Sequence, residues 1–379
     1  MIKLKENSAG HWAIRVAAVA LLLFVVWYIP QHSESSRILL VAEAFSLIIA
    51  AMAVNLVFGF TGQISIGHSA FFAIGGYTTA ILVKDHGWDP DYTFYVAPII
   101  AFVIGCLVGL PALRLKGVYL ALVTLSLAVL FPQLAKWPKL EWLTNGAAGI
   151  DSVRYDKIPT WPIIGELKGR AGRAEFNYWL GFVTLVVVYL VCRGIVKSRV
   201  GRSLVAIRDN ETAAAVMGVN LAVTKALVFG VSAAICSVGG SLATLRTGSI
   251  VPDESSPYVT LLGSIIFVLV MVIGGAGSLW GPIIGGVLFV WLSDVTRSAG
   301  GDGGDKGLIG GIVDFFFGWS EQSAATFILA VLLIVLMFVA PHGLIGLFKR
   351  LASKLIVIVP TPVGPAVGES TPTVPVPGT

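Results

Sequence analysis

The sequence predicts an all-α membrane protein, a polytopic helical bundle of about ten transmembrane helices, and three observations predict it. Of the 379 residues 56% are hydrophobic and only 12% charged, against about 25% charged in a typical soluble domain. Mean hydropathy is +0.87. The apolar residues fall in runs of about 20, each long enough to cross about 30 Å of hydrocarbon as a helix. None shows the strict alternation of a membrane barrel strand.

In chain order the expected spans are Ala13–Ile29, Ile38–Phe58, Ser69–Val83, Val96–Leu113, Val118–Ala135, Tyr178–Cys192, Ala226–Leu245, Val259–Ile273, Ile283–Ser293 and Ala324–Ala340. The first has a basic leader, but no small-residue cleavage site follows Trp27-Tyr28-Ile29-Pro30, so it reads as an uncleaved span. Ile283–Ser293 is short and needs its Gly-rich flanks to reach both faces. The expected organisation is an N-terminus at 1–12, a transmembrane domain at 13–348 with a central loop at 193–225, and a Pro-rich tail at 349–379. Beyond Val359 the tail PTPVGPAVGESTPTVPVPGT is too poor in bulky apolar residues to fold and is expected to be disordered.

Lys and Arg placement sets the expected orientation. With ten spans, one side receives Lys3, Lys5, Arg15, Arg114, Lys116, Arg193, Lys197, Arg199, Arg202, Arg208, Lys225, Lys349, Arg350 and Lys354. The other receives Asp85, Asp89, Asp91, Asp253, Glu254, Asp302, Asp305 and the mixed-charge loop Lys136–Asn177. Both termini are then cytoplasmic. The net charge of +5 is explained by this bias and the membrane surface, without nucleic acid. Cys106, Cys192 and Cys236 sit in or at the end of apolar spans without metal-ligand spacing and read as packing residues.

The central loop holds the most informative segment, Gly201–Asn220 (GRSLVAIRDNETAAAVMGVN), a polar helical stretch between two apolar spans. It carries Arg202, Arg208, Asp209 and Glu211 beside a narrow apolar stripe of Leu204, Ile207 and Ala214, with Gly218 placed to stop the helix. Asp209 and Asn210 disfavour helix, so the segment is expected to break there into two short helices. Two readings stand: a docking element held by a cytoplasmic partner, or an interfacial helix on anionic headgroups.

Two uncharged glycine-rich breaks interrupt the spans, Gly59–His68 (GFTGQISIGH) and Gly274–Pro282 (GGAGSLWGP). From pattern alone both read first as tight turns between antiparallel helices, with irregular backbone flanking a permeation path as the alternative. Asn55, Gln63, Ser65, His68, Tyr119, Thr124 and Ser126 are the polar candidates for facing that path, though interhelical hydrogen bonding explains such residues as well. Glu43 is the ionisable residue inside a span, one turn from the expected outer surface. There is no series of intramembrane carboxylates and histidines suited to an ion-coupled carrier, the second hypothesis. An intramembrane enzyme lacks a nucleophile-and-base pair or a metal-spaced cluster, so neither catalytic residues nor metal ligands are expected.

These segments together resemble the permease subunits of ATP-binding-cassette importers for branched-chain amino acids, LivM type. Asn55–Tyr77 looks like the family's opening signature and Arg114–Leu125 its next. Leu143–Ile150 (LTNGAAGI) is similar to its external-loop motif, Gly201–Gly218 to its coupling loop, and Gly274–Pro282 and Pro341–Gly346 to its closing motifs. The resemblance implies half of a channel in the bacterial plasma (inner) membrane, paired with a homologous LivH-type permease. It also implies an extracytoplasmic binding protein and two ATPase subunits that use ATP and Mg. This chain has no G-x-x-x-x-G-K-[ST] sequence, and no cofactor of its own is expected. Glu211–Gly218 is similar to the Glu-Ala-Ala…Gly coupling signature, which implies coupling roles for Arg208, Asp209, Asn210, Glu211, Ala214, Met217 and Gly218. Urea and short-amide importers have closely similar permeases and stand as the alternative substrate class.

Overall fold

The computed structural model describes residues 2–5, 24, 26–112, 117–155, 169–253, 256–299, 343–347, 350 and 356–359. The chain divides into two compact units, Met1–Ile29 with Phe348–Thr379, and Pro30–Leu347. In the first, the strands Ile2–Lys5 and Ile356–Val359 pair in parallel. The second strand lies within the tail 349–379 and ends at Val359, where the segment expected to be disordered begins. Apolar, β-branched IVIV before Pro360 favours extended backbone. Residues 360–379 lie outside the described residues.

The second unit is helical. Its long elements are α1 (Ser35–Thr61), α2 (His68–Lys84), α3 (Pro90–Ala112), α4 (Val118–Ala135), α5 (Gly169–Lys197), α6 (Arg199–Asp209), α7 (Glu211–Val216), α8 (Leu221–Thr247), α9 (Leu261–Gly274) and α10 (Gly281–Ala299). Eight of these stand where spans were expected. The expected span Ala324–Ala340 and most of Ala13–Ile29 lie outside the described residues, although 26–29 are helical.

Among the described residues four helices are long and apolar enough to cross a membrane: Ser35–Thr61, Pro90–Leu110, Ala171–Lys197 and Leu221–Thr247. A fifth is obtained if Tyr119–Ala135 is joined to Pro138–Thr144 across a 66° bend. α9 has only 14 residues, about 21 Å of helix, shorter than a hydrocarbon core of about 30 Å. The glycine-rich backbone between α9 and α10 leaves N–H and C=O groups outside any helix, and those turned into the bundle need internal hydrogen-bond partners.

α8 is the hub, packed against α1, α2 and α3. Its small residues allow this, because without a hydrophobic drive between helices in lipid, association rests on close backbone approach. A methyl group on Gly240 would strike the Phe72 carbonyl, and one on Gly75 the Ser237 carbonyl. Hydroxyls reinforce the seam: Ser241 Oγ donates to Gly75 O (3.2 Å), and Ser264 Oγ on α9 donates to Ser69 Oγ on α2 (2.7 Å).

At the end of α8 away from α6 and α7, the strands Ile150–Asp151 and Ser249–Ile250 pair antiparallel. Gly149, at φ 70°, lies too close to the Ile250 carbonyl for any side chain. Asn145, also left-handed at φ 59°, donates from Nδ2 to Gly149 O at 2.7 Å. The LTNGAAGI motif is thus a tight turn laid on the end of α8, closed over a cluster of Tyr77, Val153, Tyr155, Phe176, Leu245 and Val259.

Replacing Gly240 or Gly75 by Leu is expected to lower stability by about 1–3 kcal/mol or more, since the backbone has nowhere to move. Gly194→Ala, a position with open space around it, should leave stability unchanged or slightly raised. Thermal unfolding of the purified chain in detergent, followed by Trp fluorescence, reads both.

Candidate functional site

The central insert is two capped helices meeting at one residue. Ser198 opens α6, its Oγ accepting from Val200 N and Gly201 N. α6 ends at Asp209, where Asn210 adopts an extended conformation (φ −160°, ψ 107°) and its side chain accepts from Ala213 N to open α7. The expected break falls at this point, because an Asn side chain competes with helical backbone bonding and suits an N-cap. α7 ends at Gly218, φ 87°, with Val219 N bonded to Ala214 O and Gly218 N to Ala215 O, the paired bonds of a Schellman stop.

The apolar stripe of Leu204, Ile207 and Ala214 is buried, with α6 packed on α1, α5 and α8 of the same chain. Its place is the floor of the insert and not its outer face. What points outward on α7 is Thr212, Ala213, Ala215, Val216 and Met217, the last two 82% and 85% exposed.

Two cations fasten the insert to the spans. Arg208 Nη1 donates to the Gly59 carbonyl at 3.2 Å, while its Nε meets Asp209 Oδ1 at 3.2 Å. Gly62, left-handed at φ 70° where α1 stops, packs against Arg208. Lys225, near the start of α8 and only 6% exposed, is paired with Glu211 at 2.7 Å. The sequence reading counted Lys225 only as an orienting charge. A basic residue one turn into an apolar helix, with a carboxylate nearby in the preceding loop, was the available signal.

The first break then meets the second. Asn55 Oδ1 accepts from Gly277 N and its Nδ2 donates to Ser278 O, both at 2.9 Å. The two breaks touch directly, because a methyl on Gly59 would strike Gly277 N. Gly343, at φ 71°, packs against Gly275, which brings the described part of the closing motif, 343–346, to the same junction; Pro341 and His342 lie outside the described residues. Insert, both breaks and closing motif thus share one place in the fold.

The other path candidates divide. Thr124 Oγ1 accepts from Ile66 N at 3.0 Å and ties the 62–67 segment to α4. Ser232 Oγ gives its proton to Ala53 O (2.7 Å), so it accepts from His68 Nε2 (2.7 Å), and Ser65 donates to Nδ1 (3.2 Å). This proton count assigns His68 as the neutral Nε2–H tautomer bridging α1, α2 and α8. Gln63 is buried with neither amide atom partnered among the described residues, at a cavity of about 190 Å³ shared with Arg208, Glu211 and Lys225. Tyr119 is 69% exposed and Ser126 bonds within α4. Glu43, the ionisable candidate one turn from the expected outer surface, accepts from Tyr258 Oη (2.7 Å) and faces Arg246 at 3.6 Å, a pairing that no local signal in the sequence marks. Among the described residues there is no cluster able to hold a metal.

A bundle of apolar helices, four of them long enough to cross a membrane, with an amphipathic pair packed against two glycine-rich breaks, has the build of a polytopic membrane protein. Residues 36–340 match the family described as branched-chain amino acid transport system / permease component, and the chain belongs to that family. It is 27% identical over 294 residues to the high-affinity branched-chain amino acid transport system permease protein LivM of Escherichia coli (strain K12), covering 73% of this chain and 67% of that protein. It is 23% identical over 326 residues to the probable branched-chain amino acid transport permease protein LivH of Methanocaldococcus jannaschii, covering 81% and 92%. It is 29% identical over 150 residues to the galactose/methyl galactoside import permease protein MglC of Salmonella typhimurium, covering 37% and 45%. No solved structure matches the chain.

Asn55→Leu removes both partners of the 277–278 backbone and is expected to cost about 1–3 kcal/mol for each group left unpaired. Hydrogen exchange of the 274–281 segment checks it: faster exchange there with α2 unaffected is the expected pattern.

Proposed function

We propose that this chain is the membrane-spanning half-channel of an ATP-binding-cassette importer for leucine, isoleucine and valine. It pairs with a homologous second permease of LivH type, receives substrate from an extracytoplasmic binding protein, and is driven by two separate ATPase subunits that supply the ATP and Mg chemistry. The chain itself then contributes no enzymatic step and sits in the bacterial inner membrane with both termini cytoplasmic.

The observation that carries the coupling role is the α6–α7 element. Its buried face is held to this chain's own spans by Leu204, Ile207 and Ala214, Arg208 and the Glu211–Lys225 pair. Its outer face of Thr212, Ala213, Ala215, Val216 and Met217 stays uncovered. Small side chains flanked by the exposed Asp209 and Asn210 suit close seating in a cleft of an ATPase subunit. Closure of that cleft pulls on Arg208 and Lys225, hence on the end of α1 and the start of α8. In this reading Asn55, Ser65, His68 and Thr124 shape the wall of the path, while Gln63 and Tyr119 are the polar groups left to face it.

Proteoliposomes holding this chain with its neighbouring permease, ATPases and binding protein test the reading. ATP-dependent uptake of labelled leucine is expected, with none of urea. Gly218→Arg, which places a charged side chain at φ 87° on the docking face, and Glu211→Lys, which sets two cations together at Lys225, should each abolish uptake while ligand still binds the binding protein. Urea uptake alone would overturn the substrate class, and unaffected uptake in both variants the coupling role.

A further inference from the structure

A second feature lies at the opposite end of α8 from the insert. The 27-residue helix separates the two by about 40 Å. There a cavity of about 490 Å³ is lined by three arginines, Arg154, Arg173 and Arg246, together with Leu39, Phe176 and Leu245. No acidic residue lines it among the described residues.

The fold converges these arginines from three elements. Arg246 lies in the last turn of α8, Arg173 in the first turns of α5, and Arg154 just beyond the strand Ile150–Asp151 that pairs alongside the end of α8. Arg154 and Arg173 are exposed, whereas the Arg246 side chain is only 16% exposed. Arg246 is partly answered by Glu43, which lines a separate cavity with Arg246 and Tyr258. Its Nε is nevertheless buried without a hydrogen-bond partner. Favourable placement of a basic residue at a helix C-terminus accounts for Arg246 alone. It explains neither the unpartnered Nε nor the two further arginines that line the same cavity.

A partly enclosed site lined by three arginines, with no carboxylate among its described lining residues, favours an anionic ligand, and guanidinium geometry favours a planar, bidentate acceptor such as a carboxylate. The volume falls within the usual range of about 300–1,000 Å³ for small-molecule sites. The apolar lining of Leu39, Phe176 and Leu245 suits a ligand with an aliphatic body. We propose that this cavity is a carboxylate-binding site, which takes small apolar acids by their carboxylate and receives the transported amino acid at the outer end of the permease. The role as a receiving site rests on the amino-acid permease reading; the carboxylate chemistry rests on the arginines.

The test uses the assembled transporter with the full-length chain in nanodiscs, without ATP and without the binding protein. The probes are labelled leucine, 4-methylpentanoate, which keeps the carboxylate and lacks the amino group, and leucinamide, which lacks the carboxylate. Leucine and 4-methylpentanoate are expected to compete for one site and leucinamide to bind neither alone nor in competition. Arg173→Gln, at an exposed position that leaves the Glu43 pair intact, should weaken both by about tenfold or more. Arg246→Gln should weaken them further.

Leucinamide binding as tightly as leucine overturns the proposal, as does unchanged affinity in both Arg173→Gln and Arg154→Gln. So does a parallel assay with the binding protein added in which the variants weaken only its docking, which would assign the arginines to its acidic side chains. ATP-driven leucine uptake measured alongside separates the two readings. Uptake without carboxylate-dependent binding overturns the site and leaves the importer; carboxylate-dependent binding without uptake overturns the importer and leaves the site.

Discussion

The structure of the second unit depends on how two stretches of non-helical backbone are satisfied inside an apolar bundle. In hydrocarbon an unpaired N–H or C=O costs several kcal/mol, so a glycine-rich break at membrane depth persists only where something answers it. The Asn55 carboxamide does this for the second break, with one acceptor for Gly277 N and one donor for Ser278 O. Arg208 does it for the end of α1, through the Gly59 carbonyl. Neither contact is local in sequence. Together they make the insert, the first break and the second break one junction, with Gly343 packed on it from the far end of the unit.

The rest of the bundle is arranged to keep that junction stiff. α8 carries glycines and serines where it crosses α2 and α3, so that backbones meet directly and small hydroxyls bond across the seam. His68 is held in one tautomer by Ser65 and Ser232, and Ser232 is in turn committed to the α1 backbone. α6 and α7 are thus tied to α1 through Arg208 and to α8 through Lys225. Both helices continue to the other end of the bundle, where Glu43 on α1 faces Arg246 on α8.

Much of this was legible in the sequence where the signal is local. Ser198, Asn210 and Gly218 each act within three or four residues, and the caps and the stop fell where their chemistry puts them. Hydropathy placed α1, α2, α4 and α8 closely. It misplaced the start of α5, whose polar opening GRAGRAEFN continues the helix nine residues before Tyr178 where no apolar run marks it. What the sequence could not show was pairing across distance. Asn55 and Gly277 lie 222 residues apart, and nothing in either neighbourhood names the other. The same holds for Arg208 with Gly59 and for Glu43 with Arg246. The apolar stripe of the insert was visible, but periodicity alone does not say whether such a stripe faces a partner or the chain's own spans.

The central claim is that Arg208 and Asn55 make the insert and the two breaks a single mechanical unit. The direct measurement is the number of leucine molecules imported per ATP hydrolysed in reconstituted transporter, compared for Arg208→Gln, Asn55→Leu and the double variant. The account predicts that each single variant lowers the ratio while ATP hydrolysis persists, and that the double variant falls little further, because both break the same linkage. A ratio unchanged from wild type in both single variants would contradict it.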